Sequence, residues 1–381
     1  MKICIITGSR AEYGLLFHTI KKIQNINKFK LKLIVTGQHL EKKFGNTFQN
    51  IKNDNIKIFR KIKLQNTGNS TFSILKNISY LTDKFSNLFK SYKFDYVIML
   101  GDRFEIFSAA ISAAYFKVPI IHIHGGEITH GSFDDYNRHS ISKFSSLHFV
   151  SNIIYKKRLI NMGEIPNRIF VSGAAGIEFI KKLNFLKKND VYKILKLNLN
   201  EKYAFIAFHP SLDRNYLNQL KNLFKIASNN NHQKYFISMP NLDHNFKHIN
   251  DFIKYFCNQN KNFIYKKSFG SKEFLSILKY SNCIIGNSSS GIIEAPNLKI
   301  PTINIGNRQK GRLMSKSVIN SDGSVNSLKK AFKKVLNINK SRSKSIFNNP
   351  YDSKKNLSEL LSKVMLSTDK NKLLPKKFYD K

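Results

Sequence analysis

Residues 120–140, IIHIHGGEITHGSFDDYNRHS, hold four His, one Glu, two adjacent Asp and one Arg. Imidazoles and carboxylates at this density serve either a metal ion or proton transfer. His122 and His124 stand two apart on an apolar run, so a strand there turns both rings to one side, a spacing that also suits metal ligands. Glu127, His130, Asp134 and Asp135 could complete a ligand set, but the stretch lacks Cys and the RHSISKF that follows carries nothing diagnostic of a metal. The other reading is proton handling at a carbon centre by paired carboxylates and imidazoles, with Arg138 or His139 orienting a carboxylate. Asp134 also suits the N-cap of a helix starting near it. His148, inside the apolar LHFV, reads as a satisfied core histidine.

Further polar clusters each follow an apolar run: TGSRAEYG (7–14), TGQH (36–39), GDRFE (101–105), HPSLDR (209–214), GNSSSGIIEAP (286–296) and GNRQKGR (306–312). In GNSSSG, glycine and three small hydroxyl residues lead into a helix expected from about Ser290. Free N–H groups and the helix dipole at such a start attract an anion. Ser288 and Ser289 add hydroxyl donors, and Glu294, one turn on, can accept from a ribose diol; the plainer alternative is an ordinary Ser cap. Arg308 and Arg312 follow the next strand, and guanidinium groups suit phosphate oxygens. Arg10, directly after the first strand, is either an oxyanion contact or a surface residue. Asp102 and Arg103 close the fourth strand, where a structural ion pair is the commoner outcome. Neither GxxxxGK[ST] nor GxGxxG is present, which weakens ATPase and dinucleotide readings.

The elements that must position these groups are short β-branched runs alternating with amphipathic stretches, the pattern of βαβ units and a parallel sheet. KICIIT, LKLIVT, IKIFRKI, DYVIML, PIIHIH, LHFV and IFVSG form a first set; YAFIAF, KYFISM, NFIYKK, NCIIGN and IPTINIG form a second. The fold class expected is α/β, with two Rossmann-like doubly wound domains, residues 1–180 and 200–350, separated by a charged stretch of weak strand character. A polar helical tail over 351–381 is expected to pack outside the second sheet. Ligands bind beyond the carboxyl ends of strands in such sheets, where the clusters lie, and two tandem domains leave a cleft.

Composition narrows the classes. A chain of 381 residues exceeds one ordinary core, and its apolar runs are too short to span a bilayer, so no membrane partner is expected. The N-terminus reads as a strand rather than a signal peptide, and Cys4, Cys257 and Cys283 lack CxxC spacing, so reduced thiols and a cytoplasmic location are expected. The net charge of +40 invites a nucleic-acid reading, but Lys is spread along the whole chain and no nucleic-acid motif accompanies it. No nucleic-acid partner is expected, although the charge can help attract a phosphorylated anion.

GSRAEYGLL, TGQHL, GDRFE, HIHGGEITHGSFDDYNRHSISKFSSLHFV, FHP, GNSSSGIIEAP and INIGNRQKGR, in this order over residues 1 to about 335, resemble the hydrolysing UDP-N-acetylglucosamine 2-epimerases of the sialic-acid and legionaminic-acid type. The resemblance implies the GT-B architecture and removal of the C2 proton with elimination of the nucleoside diphosphate. Water then adds to the 2-acetamidoglucal with inverted C2, giving an N-acetylmannosamine-type sugar and UDP without metal, NAD or other cofactor. It implies that Arg10, His209, Ser288, Ser289 and Arg308 contact the diphosphate, with His209 also a catalytic candidate, and that Glu294 contacts the ribose. Asp102 and Asp134 resemble the catalytic carboxylates, with Arg103, His39, Glu127 and Arg138 around the sugar. Where relatives commonly have HIEGGE this chain has HIHGGE, so His124 or Glu127 is expected to do the work of the first Glu. The substrate is expected to be a nucleotide sugar, either UDP-N-acetylglucosamine or a UDP- or GDP-linked N,N'-diacetylbacillosamine, and the resemblance suggests a homodimer. A GT-B glycosyltransferase and a nucleotide-sugar-binding regulator are the other classes; several acid/base groups in the first domain disfavour both.

Overall fold

The computed structural model describes residues 1–380 except Thr67, Asn69, 130–133, 212–214, Asn231, 241–245, Ser268 and Arg342, and omits the side chain of Lys43. It divides into two compact units, Met1–Glu127 with Phe133–Phe179 and Tyr351–Lys381, and Ile128–Ser132 with Ile180–Pro350.

Among the described residues, the first unit's sheet contains β1 (Lys2–Thr7), β2 (Lys30–Thr36), β3 (Ile58–Ile62), β4 (Tyr96–Leu100), β5 (Ile120–Ile123), β6 (Leu147–Val150) and β7 (Ile169–Val171). All pairings are parallel, in the order β3-β2-β1-β4-β5-β6-β7. Strand alternation explains why the runs are apolar throughout: Ile3 and Ile5 join Leu16 and Ile20 on one face, while Cys4 and Ile6 join Phe85 and Ala109 on the other. Strand order reverses between β1 and β4, so the loops after these strands flank the crevice where such sheets bind ligands.

The tail differs from expectation. Helix Leu357–Ser367 packs on helix Arg10–Gln24 of the first unit, and Leu357, Leu361 and Met365, spaced one turn apart, are buried in that unit's core. Burying each such side chain contributes about 1.5–3 kcal/mol, which a polar reading of the segment overlooks. The Glu178 carboxylate accepts from the Ser358 backbone N–H at 2.9 Å and from its hydroxyl, fixing where the helix begins.

The second unit's sheet contains, among the described residues, β8 (Lys202–Ala207), β9 (Gln233–Ser238), β10 (Phe263–Lys266), β11 (Ile284–Gly286), β12 (Thr302–Ile305) and β13 (Val318–Ser321), parallel in the order β10-β9-β8-β11-β12-β13. Its reversal lies between β8 and β11. β13 went unread in the sequence because VINS offers two apolar residues at an edge. The charged stretch before β8 holds helix Lys188–Leu195, whose Val191, Tyr192 and Leu195 cover the sheet. Among the described residues no helix is long and apolar enough to cross a membrane.

Gly286 ends β11 at φ +137°, and a Cβ there would run into the Ala207 carbonyl of β8. This close approach brings the ends of β8 and β11 together. Gly286→Ala should therefore cost about 1–3 kcal/mol or more, seen as a lower midpoint in a thermal melt; an unchanged midpoint would show that the strands can part freely.

Candidate active site

Asp102 follows β4, and its partner is not the neighbouring Arg103 but Arg138, thirty-six residues on in helix Asp134–Phe144. Arg138 Nη2 donates to Asp102 Oδ2, while Nη1 donates to Asp135 Oδ1 and to the Glu127 carbonyl, each at 3.0 Å. Its side chain is 4% exposed against 22% for Asp102, so the carboxylate alone of this pair is open to a ligand. Burial works against the guanidinium charge, but Asp102, Glu127 and Asp135 outweigh it and hold the Arg138 pKa above its ordinary value. Arg138 thus orients a carboxylate, one of the two places expected of it. Asp134 opens the same helix and is exposed.

Arg103 turns the other way. Its Nε and Nη2 lie 3.1 and 2.8 Å from the two oxygens of Glu105, and Nε lies 3.6 Å from Glu12 Oε1. Arg10 is the first residue of helix Arg10–Gln24 and is partly buried.

The two histidines of HIH do not share a ligand face. His122 is fully buried, with Nε2 2.8 Å from the Gly101 carbonyl and Nδ1 3.0 Å from Ser142 Oγ, and burial lowers its pKa to about 3. It ties the loop carrying Asp102 to the helix carrying Arg138. β5 stops at Ile123, and His124 takes a left-handed φ of 68°, which releases its ring from strand alternation. The Ala175 N–H donates to His124 Nε2 at 3.0 Å, so this nitrogen keeps its lone pair and the ring proton sits on Nδ1, 3.5 Å from Glu127 Oε1. Glu127 is 2% exposed and accepts from Ser151 Oγ at 2.8 Å. His130 lies outside the described residues. His148 is buried against Glu164, 2.9 Å away, as a core histidine should be.

His39 is fully buried, with Nε2 3.1 Å from Thr7 Oγ1 and Nδ1 2.8 Å from Thr47 Oγ1. Burial, helped by the Arg103 charge, lowers its pKa to about 4, so the imidazole is held neutral between the two hydroxyls.

In the second unit the groups gather after β8 and β11. The Asn287 side chain accepts from the His209 N–H at 2.7 Å and donates to the His209 carbonyl at 2.9 Å. The Asn287 carbonyl in turn accepts from Arg308 Nη1 at 3.1 Å and Gln309 Nε2 at 2.8 Å. His209 is 8% exposed; burial and then the Arg308 charge lower its pKa to about 3, leaving a neutral imidazole. Ser288 and Ser289 are partly buried, Ser288 Oγ accepting from Ser290 N–H at 3.3 Å. The helix expected here is a single turn, Ser290–Ile293, continued by a 3-10 turn over Ala295–Leu298, because Pro296 cannot extend it. Glu294 sits between the two turns, partly buried, and Arg312 lies beyond Arg308 on the loop after β12. A neutral histidine, paired hydroxyls and an anchored Arg can bind an anion, while the first unit offers an oriented carboxylate for proton transfer.

The sequence profile described as UDP-N-acetylglucosamine 2-epimerase matches residues 21–363. This chain belongs to that family. The enzyme is 40% identical over 339 residues to the GDP/UDP-N,N'-diacetylbacillosamine 2-epimerase (hydrolyzing) of Campylobacter jejuni, covering 88% of this chain and 87% of the relative. It is also 40% identical over 322 residues to polysialic acid biosynthesis protein P7 of Escherichia coli, covering 84% and 82%. The crystal structure of the Neisseria meningitidis UDP-GlcNAc 2-epimerase bound to UDP-GlcNAc superposes with a TM-score of 0.83 at 19% identity, over 97% of this chain and 100% of that one. At that identity the likeness establishes the fold, a GT-B-like pair of doubly wound units.

Several residues of this epimerase-family site went unassigned from sequence. Glu105 follows Arg103 in GDRFE, and Glu12 stands three residues after Ser9, the Ser-x-x-Glu spacing of a capping box. Both signals were readable. Asn287, Gln309 and Ser151 carried none, since their partners are set by which strands lie side by side.

Proposed function

We propose that this chain hydrolyses UDP-N-acetylglucosamine with inversion at C2, releasing N-acetylmannosamine and UDP in the cytoplasm as a homodimer. The oriented, partly open Asp102 carboxylate at the sheet reversal, held by the buried Arg138, is the observation that carries the reading. In the first half-reaction a carboxylate removes the C2 proton, the C1–O bond breaks, and the electron pair leaves with the diphosphate. Asp102 and Asp134 are assigned to this proton traffic. Arg10, Ser288, Ser289 and Arg308 hold the leaving diphosphate, the neutral His209 donates or accepts beside it, and Glu294 takes the ribose. In the second half-reaction water adds its hydroxyl to C1 and a proton reaches C2 from the opposite face. The His124–Glu127 pair supplies or relays that proton, with Glu127 the more apt member because the Ala175 N–H occupies His124 Nε2.

A second reading has support in the Campylobacter jejuni relative, whose name specifies N,N'-diacetylbacillosamine. The same chemistry would then give 2,4-diacetamido-2,4,6-trideoxymannose from a UDP- or GDP-linked sugar. Incubation in D2O with each nucleotide sugar, followed by NMR, separates the readings. The expected result is free nucleoside diphosphate with a manno-configured sugar deuterated at C2. A gluco-configured product without deuterium would mean plain hydrolysis and overturn the 2-epimerase assignment. Light scattering on the purified protein tests the dimer.

A further inference from the structure

We infer that Glu12 and Glu105, buried in the first turns of helices Arg10–Gln24 and Phe104–Tyr115 that follow β1 and β4, are positioning residues for Arg103, with Glu12 the member that keeps a proton beside the one guanidinium. Glu105 uses both carboxylate oxygens on Arg103 and is fully buried. Gly37, at φ +59°, makes room for it: a Cβ there would strike the Glu105 carboxylate and the Gly8 carbonyl. Glu12, 6% exposed, accepts from the Gly8 N–H at 2.6 Å through Oε2. Its Oε1 is buried without a hydrogen-bond partner among the described residues, 3.6 Å from Arg103 Nε.

One guanidinium therefore faces two buried carboxylates. Among the described residues the one cation that acts on Glu12 is Arg103: His39, on the turn after β2, is neutral, Asp102 after β4 is an acid, and Asp134 acts on Arg103 from helix Asp134–Phe144. Two carboxylates sharing such a site cannot both ionise cheaply. Burial, with Glu105 and Asp102 adding to it against Arg103 and the Gly8 N–H, raises the Glu12 pKa to about 8. The protonated arrangement leaves the Arg103 fork wholly on Glu105. Once Glu12 ionises, the guanidinium is shared between two carboxylates and a further negative charge acts on Asp102. A capping role alone would predict none of this, because a Gln accepts the Gly8 N–H as well as a Glu does.

The test compares thermal melts of wild type and Glu12→Gln from pH 5 to pH 9. A carboxyl whose folded pKa lies above its unfolded value gives stability that is present at low pH and is lost as pH rises through the folded pKa. Wild type should thus lose midpoint relative to Glu12→Gln between pH 5 and about pH 8 and hold a constant offset from it above that. Parallel curves overturn the inference, as does a Glu12→Gln chain that fails to fold, since the amide mimics the neutral acid. This arm is independent of the epimerase reading. The activity arm rests on that reading: the alkaline limb of kcat/KM for the turned-over sugar should move up by about one pH unit or more in Glu12→Gln. An unmoved limb would deny Glu12 any hold on the reaction.

Discussion

Asp102→Asn should stop release of the nucleoside diphosphate, lowering kcat by about a thousand-fold, while UDP affinity stays within a few-fold. The Asn amide oxygen still accepts from Arg138 Nη2, so the loop after β4 keeps its place and only the proton-accepting charge is lost. UDP affinity is expected to survive because the residues assigned to the diphosphate lie chiefly in the second unit, on β8, β11 and β12 loops held by Asn287. A coupled UDP-release assay and calorimetric titration with UDP measure the two quantities. Unaltered turnover would remove Asp102 from the mechanism; a parallel loss of UDP affinity would show that the substitution had disturbed more than a charge.

Arg138→Leu should destabilise the first unit by about 3–5 kcal/mol, the range for removing one partner of a buried ion pair. Asp102, Asp135 and the Glu127 carbonyl all lose the Arg138 donor at once. Arg138→Lys should recover only part of this, because one ammonium keeps the charge but not the two-nitrogen fork by which Nη2 serves Asp102 while Nη1 serves Asp135 and the Glu127 carbonyl. Urea unfolding followed by circular dichroism gives the comparison, with the two units allowed separate transitions. A loss within about 1 kcal/mol for Arg138→Leu would mean that the hub is dispensable.

The fold was legible where strands are long and buried on both faces, since runs such as KICIIT and YVIML have no other stable home. It was illegible at the edge strand VINS and in the tail, where Leu357, Leu361 and Met365 are diluted among polar residues and meet their partner helix more than three hundred residues away in sequence. The site shows the same division. Strand-end position singled out Asp102, His209, Ser288 and Arg308, because sheet order dictates where polar loops converge. Partnership did not follow from adjacency: Arg103 neighbours Asp102 yet binds Glu105, and His39 serves Thr7 and Thr47. Hydrogen-bond partners depend on which loops the topology stacks, a property no local window contains.

The tail's location reverses the usual order of events on the ribosome, where the N-terminal domain of a chain ordinarily folds first. Here the core that receives Ile3 and Leu16 also includes Leu357, Leu361 and Met365, so the first unit's core is completed only after the last of these has emerged. The second unit, drawn almost wholly from Ile180–Pro350, is complete before that moment. The flank of helix Arg10–Gln24 that receives the tail helix is therefore the last part of the first unit to be covered, after the residues of the second unit have been made.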